Sequence, residues 1–483
     1  MPRKRTIYFN DARHYYLFVF EPPMALEDAW IPIDECAGTA VDTFIYGVAR
    51  VDGVFYPPKI GQRFRDNQVF ESAPYYRAYR NMQSLVDRGL DPLTVLIDRA
   101  HDKGMEFIAS LRVGLLGATD PSQNTRAGGA GFLNQEIRDH NFDLLRELAI
   151  DYPSDGIELD LAAPPSGSSP LFRPEDATEN TPLMTDWVRS VSEMVHGRPG
   201  GRGVVGARVY PTEETNTRVG YDVKTRLAEG LVDYVTPLIY SHFVIDSNMP
   251  IQWLIDAAHQ YDVPVYPLLG PYSAEEQRDF HTREWATPEM MRAAFANYWD
   301  MGVDGIYAFF FKWPIDAAGK MTLTEMGDPE LVADKTKHYL VGQKIPVTEE
   351  MGYHLPLPIE IAHDDTSRHD ISIRIADDIE RNADRIQEIR IKMLIADLVT
   401  DDDITFELNG ESLEHELLRR DYGSFINAYW GQWLEFVLEG VRPSKGENTL
   451  SITLNKRAEG CIGTLVIEDV ETIVEYHPFR SRL

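Results

Sequence analysis

The stretch DGIELDLAAPP, Asp155 to Pro165, puts two carboxylates inside an apolar run that has the length of a buried strand. Burying a carboxylate is costly unless it is paired or sits at a working site. Side chains alternate along a strand, so Glu158 and Asp160 share a face with Gly156, and Ile157, Leu159 and Leu161 share the other. The apolar face suits packing against helices. The acidic face is therefore expected to point inward, with Asp160 nearer the strand end.

Working outward, the same beat recurs. Short β-rich runs alternate with amphipathic segments over roughly the first 340 residues, the signature of a parallel α/β fold. The runs are YYLFVFEPP from Tyr15, VDTFIYGVA from Val41, MEFIASLRVG from Met105 and DGIELDLA from Asp155. They continue with GVVGARVYP from Gly203, VDYVTPLIY from Val232, VPVYPLLGPY from Val263 and DGIYAFFFKW from Asp304. Between them lie segments such as PLTVLIDRAHDKG and PEMMRAAFANYWDMG, which end in the glycine that tolerates a left-handed cap. Eight such units predict a (β/α)8 TIM barrel. No glycine-rich phosphate loop follows the first run, and RAGGAGF (Arg126–Phe132) follows the third, so a dinucleotide-binding sheet is the weaker alternative.

From about Pro346 the period drops to two, in HDISIRIADD, IQEIRIKMLIAD, DDITFELNG, QWLEFVLEGV, NTLSITLN and GTLVIEDVETIVEY. This predicts a C-terminal antiparallel β-sandwich. The expected division is a barrel over 1–343 and a jelly-roll-like sandwich over 344–483.

The chain has 483 residues and a net charge of −30, which argues against nucleic acid and against an anionic membrane surface as partners. No apolar run reaches the ~20 residues of a bilayer span. The basic start MPRKRTIYFND has no apolar segment behind it, so the expected location is cytoplasmic, or that of a mature form whose leader was trimmed. Cys36 and Cys461 form neither a disulfide framework nor a zinc motif and are expected to be two buried thiols. No cofactor or metal is expected. His242 and Asp246 lack helical metal-ligand spacing, and no G-x-S-x-G elbow is present.

In a barrel enzyme the site lies at the C-terminal strand ends. The expected catalytic carboxylates are Asp160 and Glu158 with Glu213 or Glu214 after the fifth strand. The expected substrate-binding ring is Glu21, Tyr46, Arg112, Arg208, Tyr240, His242, Tyr272, Lys312 and Trp313, with Asp120 and Tyr210 nearby. Rings beside carboxylates suit sugars, so the expected partner is a carbohydrate. Arg112 and Arg208 equally suit ion pairs with the two acids, and with Lys312 they hint at an anionic sugar. In the sandwich, Trp430 and Trp433 suit packing more than sugar binding.

At DGIELDLAAPP the chain resembles glycoside hydrolase barrels. Asp155, Gly156 and Asp160 match the D-G-x-D-x-D-x-E signature of family 18 chitinases. Glu158 stands where an Asp is usual, and Ala162 where the catalytic Glu stands, so the substrate-assisted mechanism is not carried over. The plan as a whole resembles the family 10-like group of glycosyl hydrolase barrels, in which a strand-eight DGIY-x-F motif, here DGIYAFF (Asp304–Phe310), precedes a β-sandwich. In amylase-like barrels an Asp at the fourth strand end is the nucleophile and a Glu after the fifth is the acid. The resemblance thus implies Asp160 with Glu213 or Glu214, in a glycosidase acting on oligo- or polysaccharide. A carbohydrate-binding barrel without activity, and a sugar lyase or isomerase using Lys312 or His242 as base, are the alternatives.

Overall fold

The computed structural model describes residues 4–11, 19–50, 53–113, 131–161, 171–239, 243–273, 284–345, 348–349, 351–421 and 431–479. Eight parallel strands make one sheet. They are β1 (Arg5–Asp11), β2 (Thr43–Gly47), β3 (Glu106–Arg112), β4 (Gly156–Asp160), β5 (Val204–Val209), β6 (Tyr234–Pro237), β7 (Leu268–Leu269) and β8 (Gly305–Ala308). Their order runs β6-β5-β4-β3-β2-β1-β8-β7. A bridge between Val235 and Val265 joins the two ends, where the Tyr266 amide donates to the Val235 carbonyl at 3.0 Å. The sheet is therefore the closed barrel that the eightfold beat predicts.

The first strand corrects the sequence reading. It is Arg5–Asp11, not the run from Tyr15, which begins outside the described residues and forms no strand over 19–23. RTIYFND lacks alternation because a parallel barrel strand is buried on both faces. Even Arg5 is only 5% exposed. Its partner is Glu106, with Arg5 Nε 2.9 Å from Oε2.

Helices follow from local chemistry. In Pro92–Asp102 the Asp91 side chain accepts from the Leu93 and Thr94 amides, with Pro at the first turn. Pro288–Met301 starts at Thr287, whose side chain accepts from the Met290 amide, and stops at Gly302, where φ is +94°.

A side-chain clamp recurs at the N-terminal ends of alternate strands. Asp155, just before β4, accepts from the Phe107 amide of β3 at 2.8 Å and from His101 at 2.9 Å. Asp233, before β6, accepts from the Val205 amide of β5 at 2.7 Å and lies 2.9 Å from His196. Asp304, before β8, accepts from the Val265 amide at 2.9 Å and lies 2.9 Å from His259. Each histidine sits at the end of the helix that leads into the clamped strand. Asp42, before β2, accepts from the Thr6 amide of β1 at 3.2 Å. The Asp-Gly doublets of both sequence motifs are thus parts of this bracing.

Two compact units divide the chain. The first comprises Met1–Val244, Pro250–Pro271 and Val303–Gly327; the second comprises Ile245–Met249, Tyr272–Gly302 and Asp328–Leu483. Within the second, Leu465–Tyr476 is paired with Ile386–Ala396, Lys337–Leu340 and Ile359–Ile361, in a six-stranded antiparallel sheet. A four-stranded sheet holds Arg368–Ile375, Gly446–Lys456, Asp403–Leu408 and Glu411–Ser412. Alternate residues of the two sheets, Ile371, Ile373, Leu450 and Ile452 from one and Ile389, Ile391, Met393 and Leu434 from the other, fill one core. Phe406 and Phe436 lie 5.2 Å apart in it. This is the β-sandwich expected from the period-two runs. Ala293, from helix Pro288–Met301, is buried in the same core. Of the two thiols, Cys36 is buried as expected, but Cys461 is only half-buried.

Candidate active site

Register decides what reaches the barrel interior. Ser110 pairs with Glu158 and Arg112 with Asp160 across β3 and β4, while Glu158 pairs with Gly206 across β4 and β5. Two residues on, Arg208 shares the face of Gly206. The acids and both arginines therefore meet inside.

Glu158 is the hub. Its Oε1 lies 2.8 Å from Arg208 Nε and accepts from Ser110 Oγ at 2.8 Å and from the Tyr307 hydroxyl at 3.2 Å. Its Oε2 accepts from the Tyr234 hydroxyl at 3.2 Å. Gly206 makes room for that phenol, since a Cβ there would stand 2.0 Å from Tyr234 Cζ. Burial pushes the Glu158 carboxyl above the usual carboxylate range; Arg208 and Ser110 pull the other way, and the Asp160 charge adds to the rise. Burial also pushes the Tyr234 phenol well up, with the Glu158 charge adding to it.

Asp160 caps this hub on the C-terminal side. Its Oδ2 accepts from Arg112 Nε at 2.9 Å and from Arg208 Nη1 at 3.2 Å. The side chains of Glu158 and Arg208 are sealed and that of Asp160 is 3% exposed, whereas that of Arg112 is 22% exposed. The chain Glu158–Arg208–Asp160–Arg112 thus runs from the core to the end of the strands. The Arg208 guanidinium is boxed by aromatic rings, 4.5 Å from the Phe9 centroid, 5.6 Å from Tyr307 and 5.8 Å from Phe309.

Below the hub lies a second charged layer. Arg5 is bonded to Glu106, and Thr43 Oγ1 donates to Glu106 Oε2 at 3.3 Å. Burial works against the Arg5 charge, but Glu106 and Tyr266 outweigh it and hold the guanidinium protonated.

The other expected site residues are placed as follows. Glu213 and Glu214 open the helix Glu213–Arg218 behind the Thr212 cap, and both are exposed. Glu213 Oε1 is 2.6 Å from Lys224 Nζ. It lines a cleft of about 430 Å3 with Tyr221, Lys224 and Trp253. Tyr210 is buried and stacked on Tyr221, with centroids 5.9 Å apart. Glu21 is exposed and lies 2.6 Å from Arg77. Tyr46 shares a face with Phe44 and sits against Phe107, because its neighbour Gly47 pairs with Ser110 on the inner face. It therefore faces the helices and is not brought to the carboxylates. Lys312 is exposed and Trp313 half-buried, four and five residues beyond β8. Tyr272 belongs to the second unit, buried with its ring 4.9 Å from Trp285. Tyr240, His242, Asp120, Ala162 and Trp430 lie outside the described residues. Trp433 lies under Lys392, whose Nζ is 4.4 Å from the ring centroid.

The structure adds Phe9, Ser110, Tyr234 and Tyr307 to the cluster. Ser110, Tyr234 and Tyr307 lie in runs that the sequence reads as strands, and Tyr307 alone stands in a motif, DGIYAFF. Among the described residues no group of three or more His, Cys, Asp or Glu could hold a metal ion. No helix of the described residues is long and apolar enough to cross a membrane.

No family model matches the chain, and no curated protein matches it. Solved structures to which it is similar include alpha-L-fucosidases and a chitinase. The alpha-L-fucosidase isoenzyme 2 from Paenibacillus thiaminolyticus is 11% identical over 75% of this chain and 51% of its own, with a TM-score of 0.46. The present chain thus spans about half of that protein's length. The alpha-L-fucosidase from Vibrio sp. strain EJY3 is 9% identical over 98% of this chain and 97% of its own, with a TM-score of 0.40. The chitinase ChiA74 from Bacillus thuringiensis is 10% identical over 97% and 100%, also with a TM-score of 0.40.

Proposed function

We propose that the chain is a glycoside hydrolase that acts on a neutral oligo- or polysaccharide, with Asp160 as the carboxylate facing the anomeric carbon. The observation that carries this reading is the placement of Asp160 at the C-terminal end of β4, on the inner face, with two guanidiniums on one oxygen. Charge-assisted hydrogen bonds from Arg112 and Arg208 stabilise negative charge on Oδ2 and fix the carboxylate plane. Attack on an oxocarbenium-like centre, directly or through a water, asks for such a group. Glu158 acts through Arg208, as a positioning residue. The neutral substrate follows from the same pairs: both arginines are already matched to carboxylates, so an anionic sugar would have to displace one of them.

The proton donor in this reading is Glu214. It stands at the first turn after β5, is exposed, and makes no hydrogen bond or ion pair among the described residues, whereas Glu213 is tied to Lys224.

The test is Asp160→Asn, assayed for released reducing ends on a panel of neutral glycans. Turnover should fall by about a thousandfold or more, while glycan binding by calorimetry survives. Unchanged turnover would exclude Asp160. A second reading, a sugar-binding barrel without hydrolysis, is favoured by the near-complete burial of Asp160 and predicts binding with no release from the unaltered chain.

A further inference from the structure

Inward side chains of a barrel stack in layers, each filled from alternate strands. Phe9, Ser110 and Arg208, from β1, β3 and β5, make one such layer. Arg208 lies 4.5 Å from the Phe9 centroid, and it meets Ser110 at Glu158 Oε1. Two residues on along the same strands stand Asp11, Arg112 and Tyr210, so the period of two puts them in the next such layer outward. Asp160, on β4, comes between the two layers. It is bonded to a guanidinium of each, Arg208 below and Arg112 above.

This outer layer is the last before the strands end, since Asp11 and Arg112 are the C-terminal residues of β1 and β3. Arg5 to Asn10 are all buried, and β1 emerges at Asp11, which is half-buried. Tyr210 is buried on Tyr221, so Asp11 and Arg112 are the two of the three that reach solvent. On β2 between them stands Gly47, which pairs with Asp11 on one side and with Ser110 on the other. A Cβ there would stand 3.0 Å from Phe9 Cζ, so glycine keeps the wall between the two charges bare.

The mouth thus presents Asp160 beneath Arg112 and, across a bare stretch of wall, a second carboxylate. A carboxylate only accepts hydrogen bonds. It does so through two oxygens and about four lone pairs, so a partner from the chain leaves it able to take a ligand hydroxyl. Its charge repels a uronate or a sulfate, and Arg112 in the same layer disfavours a cation. We propose that Asp11 is a specificity-determining residue of the site, accepting hydrogen bonds from hydroxyls of the sugar whose anomeric carbon faces Asp160. The inference rests on the glycosidase reading for the pose of that sugar, and it adds the group that selects the sugar by its hydroxyls.

The experiment takes the full chain and Asp11→Asn through 4-nitrophenyl α- and β-glucosides, galactosides, mannosides and xylosides. It then takes both through the monodeoxy analogues of the glycoside cleaved fastest or, where none is cleaved, bound most tightly. Asn keeps the size of the side chain and removes its charge; Asp11→Ser repeats the test where Asn misfolds. On the parent glycoside kcat/KM should fall about tenfold to a hundredfold, the worth of a hydrogen bond to a charged group. On the analogue that lacks the bound hydroxyl, the variant and the unaltered chain should agree within twofold. A loss under threefold on the parent, or equal losses on every analogue, overturns the proposal; the second result is what a merely structural role would give. Calorimetric titration of Asp160→Asn with the parent glycoside, with and without Asp11→Asn, reads the same contact without turnover, and binding of none of the glycosides also overturns the proposal. Asp11-dependent binding by a chain that cleaves nothing counts against the glycosidase reading alone. Cleavage indifferent to Asp11 counts against this inference alone.

Discussion

Arg208 Nε lies 2.8 Å from Glu158 Oε1, and neither side chain is exposed to solvent. Removing one partner of such a pair leaves the other buried and uncompensated, at about 3–5 kcal/mol. Arg208→Met should therefore destabilise the barrel by that order. The double variant Arg208→Met, Glu158→Leu should recover a large part of the loss, because both charges then leave together. Urea unfolding of the two single variants and the double gives the coupling. Simple additivity would mean that the pair is not the unit proposed.

Glu214→Gln should slow release from natural glycans by about a hundredfold or more while leaving activated aryl glycosides, whose leaving groups need no proton, nearly unaffected. The comparison of the two substrate types is the measurement. Equal losses on both would remove Glu214 from the donor role.

The strand clamps should differ in worth. The aspartate side chains are 36% exposed at Asp155, 16% at Asp233 and 11% at Asp304. Alanine at Asp304 or Asp233 should cost about 1–3 kcal/mol, and at Asp155 less, since water can replace the lost acceptor there. Burial opposes ionisation of Asp233, but hydrogen bonds from His196, the Val205 amide and Arg202 hold it below the ordinary carboxylate range. Its folded-state value is the lower one, so its contribution is present above about pH 4 and is lost as the pH falls. Thermal midpoints against pH for Asp233→Asn and the unaltered chain should converge in acid.

Arg226 is 2% exposed, and among the described residues none of its three guanidinium nitrogens has a hydrogen-bond partner. Burial drags its pKa down to about 10, against weaker support from Tyr221 and Asp222. Its stem packs on the inner face of helix Val223–Ala228 with Val223 and Leu227. Arg226→Met keeps that packing and removes the uncompensated charge, so it should raise stability, by about 1–3 kcal/mol. A lower unfolding midpoint would contradict this account.

Asp469 behaves in the opposite sense to Asp233. Burial, then repulsion from Glu471, pushes its pKa up to about 6, with Lys392 and His338 pulling the other way. The folded state binds the proton more tightly than the unfolded chain, so this residue costs stability as the pH rises from about 4 to about 6. Asp469→Asn should raise the thermal midpoint at pH 7 and leave it unchanged at pH 4. A gain of equal size at both values would exclude the titration.

The acids of DGIELD were legible because two charges in an apolar run have few destinations, and their spacing by two sends both inward. The sandwich was legible from its alternation, which one-sided burial enforces. β1 was not, because a strand covered on both faces has no alternation, and its Arg5 reads as a surface charge. Tyr46 shows the limit of parity: alternation divides a strand into two faces, and only the pairing of Gly47 with Ser110 tells which is inner. Ser110 and Tyr234 carried no local mark of their role, since it arises from neighbours 48 and 76 residues away. Asp155 and Asp304 drew notice for the right motif, but they lie at the bracing end of the barrel, where they hold amides.

The clamps tie β1 to β2, β3 to β4, β5 to β6 and β7 to β8, and skip the seams in between. Mechanically the cylinder is four double staves, each riveted at its base and tied to the others by the strand ladder and by interior side chains such as Glu106, Glu158 and Arg208. The joint between the third and fourth staves, held at Val235 and Val265, is where such a vessel would first spring open. Amide exchange should therefore be fastest across that joint and slowest within the riveted pairs.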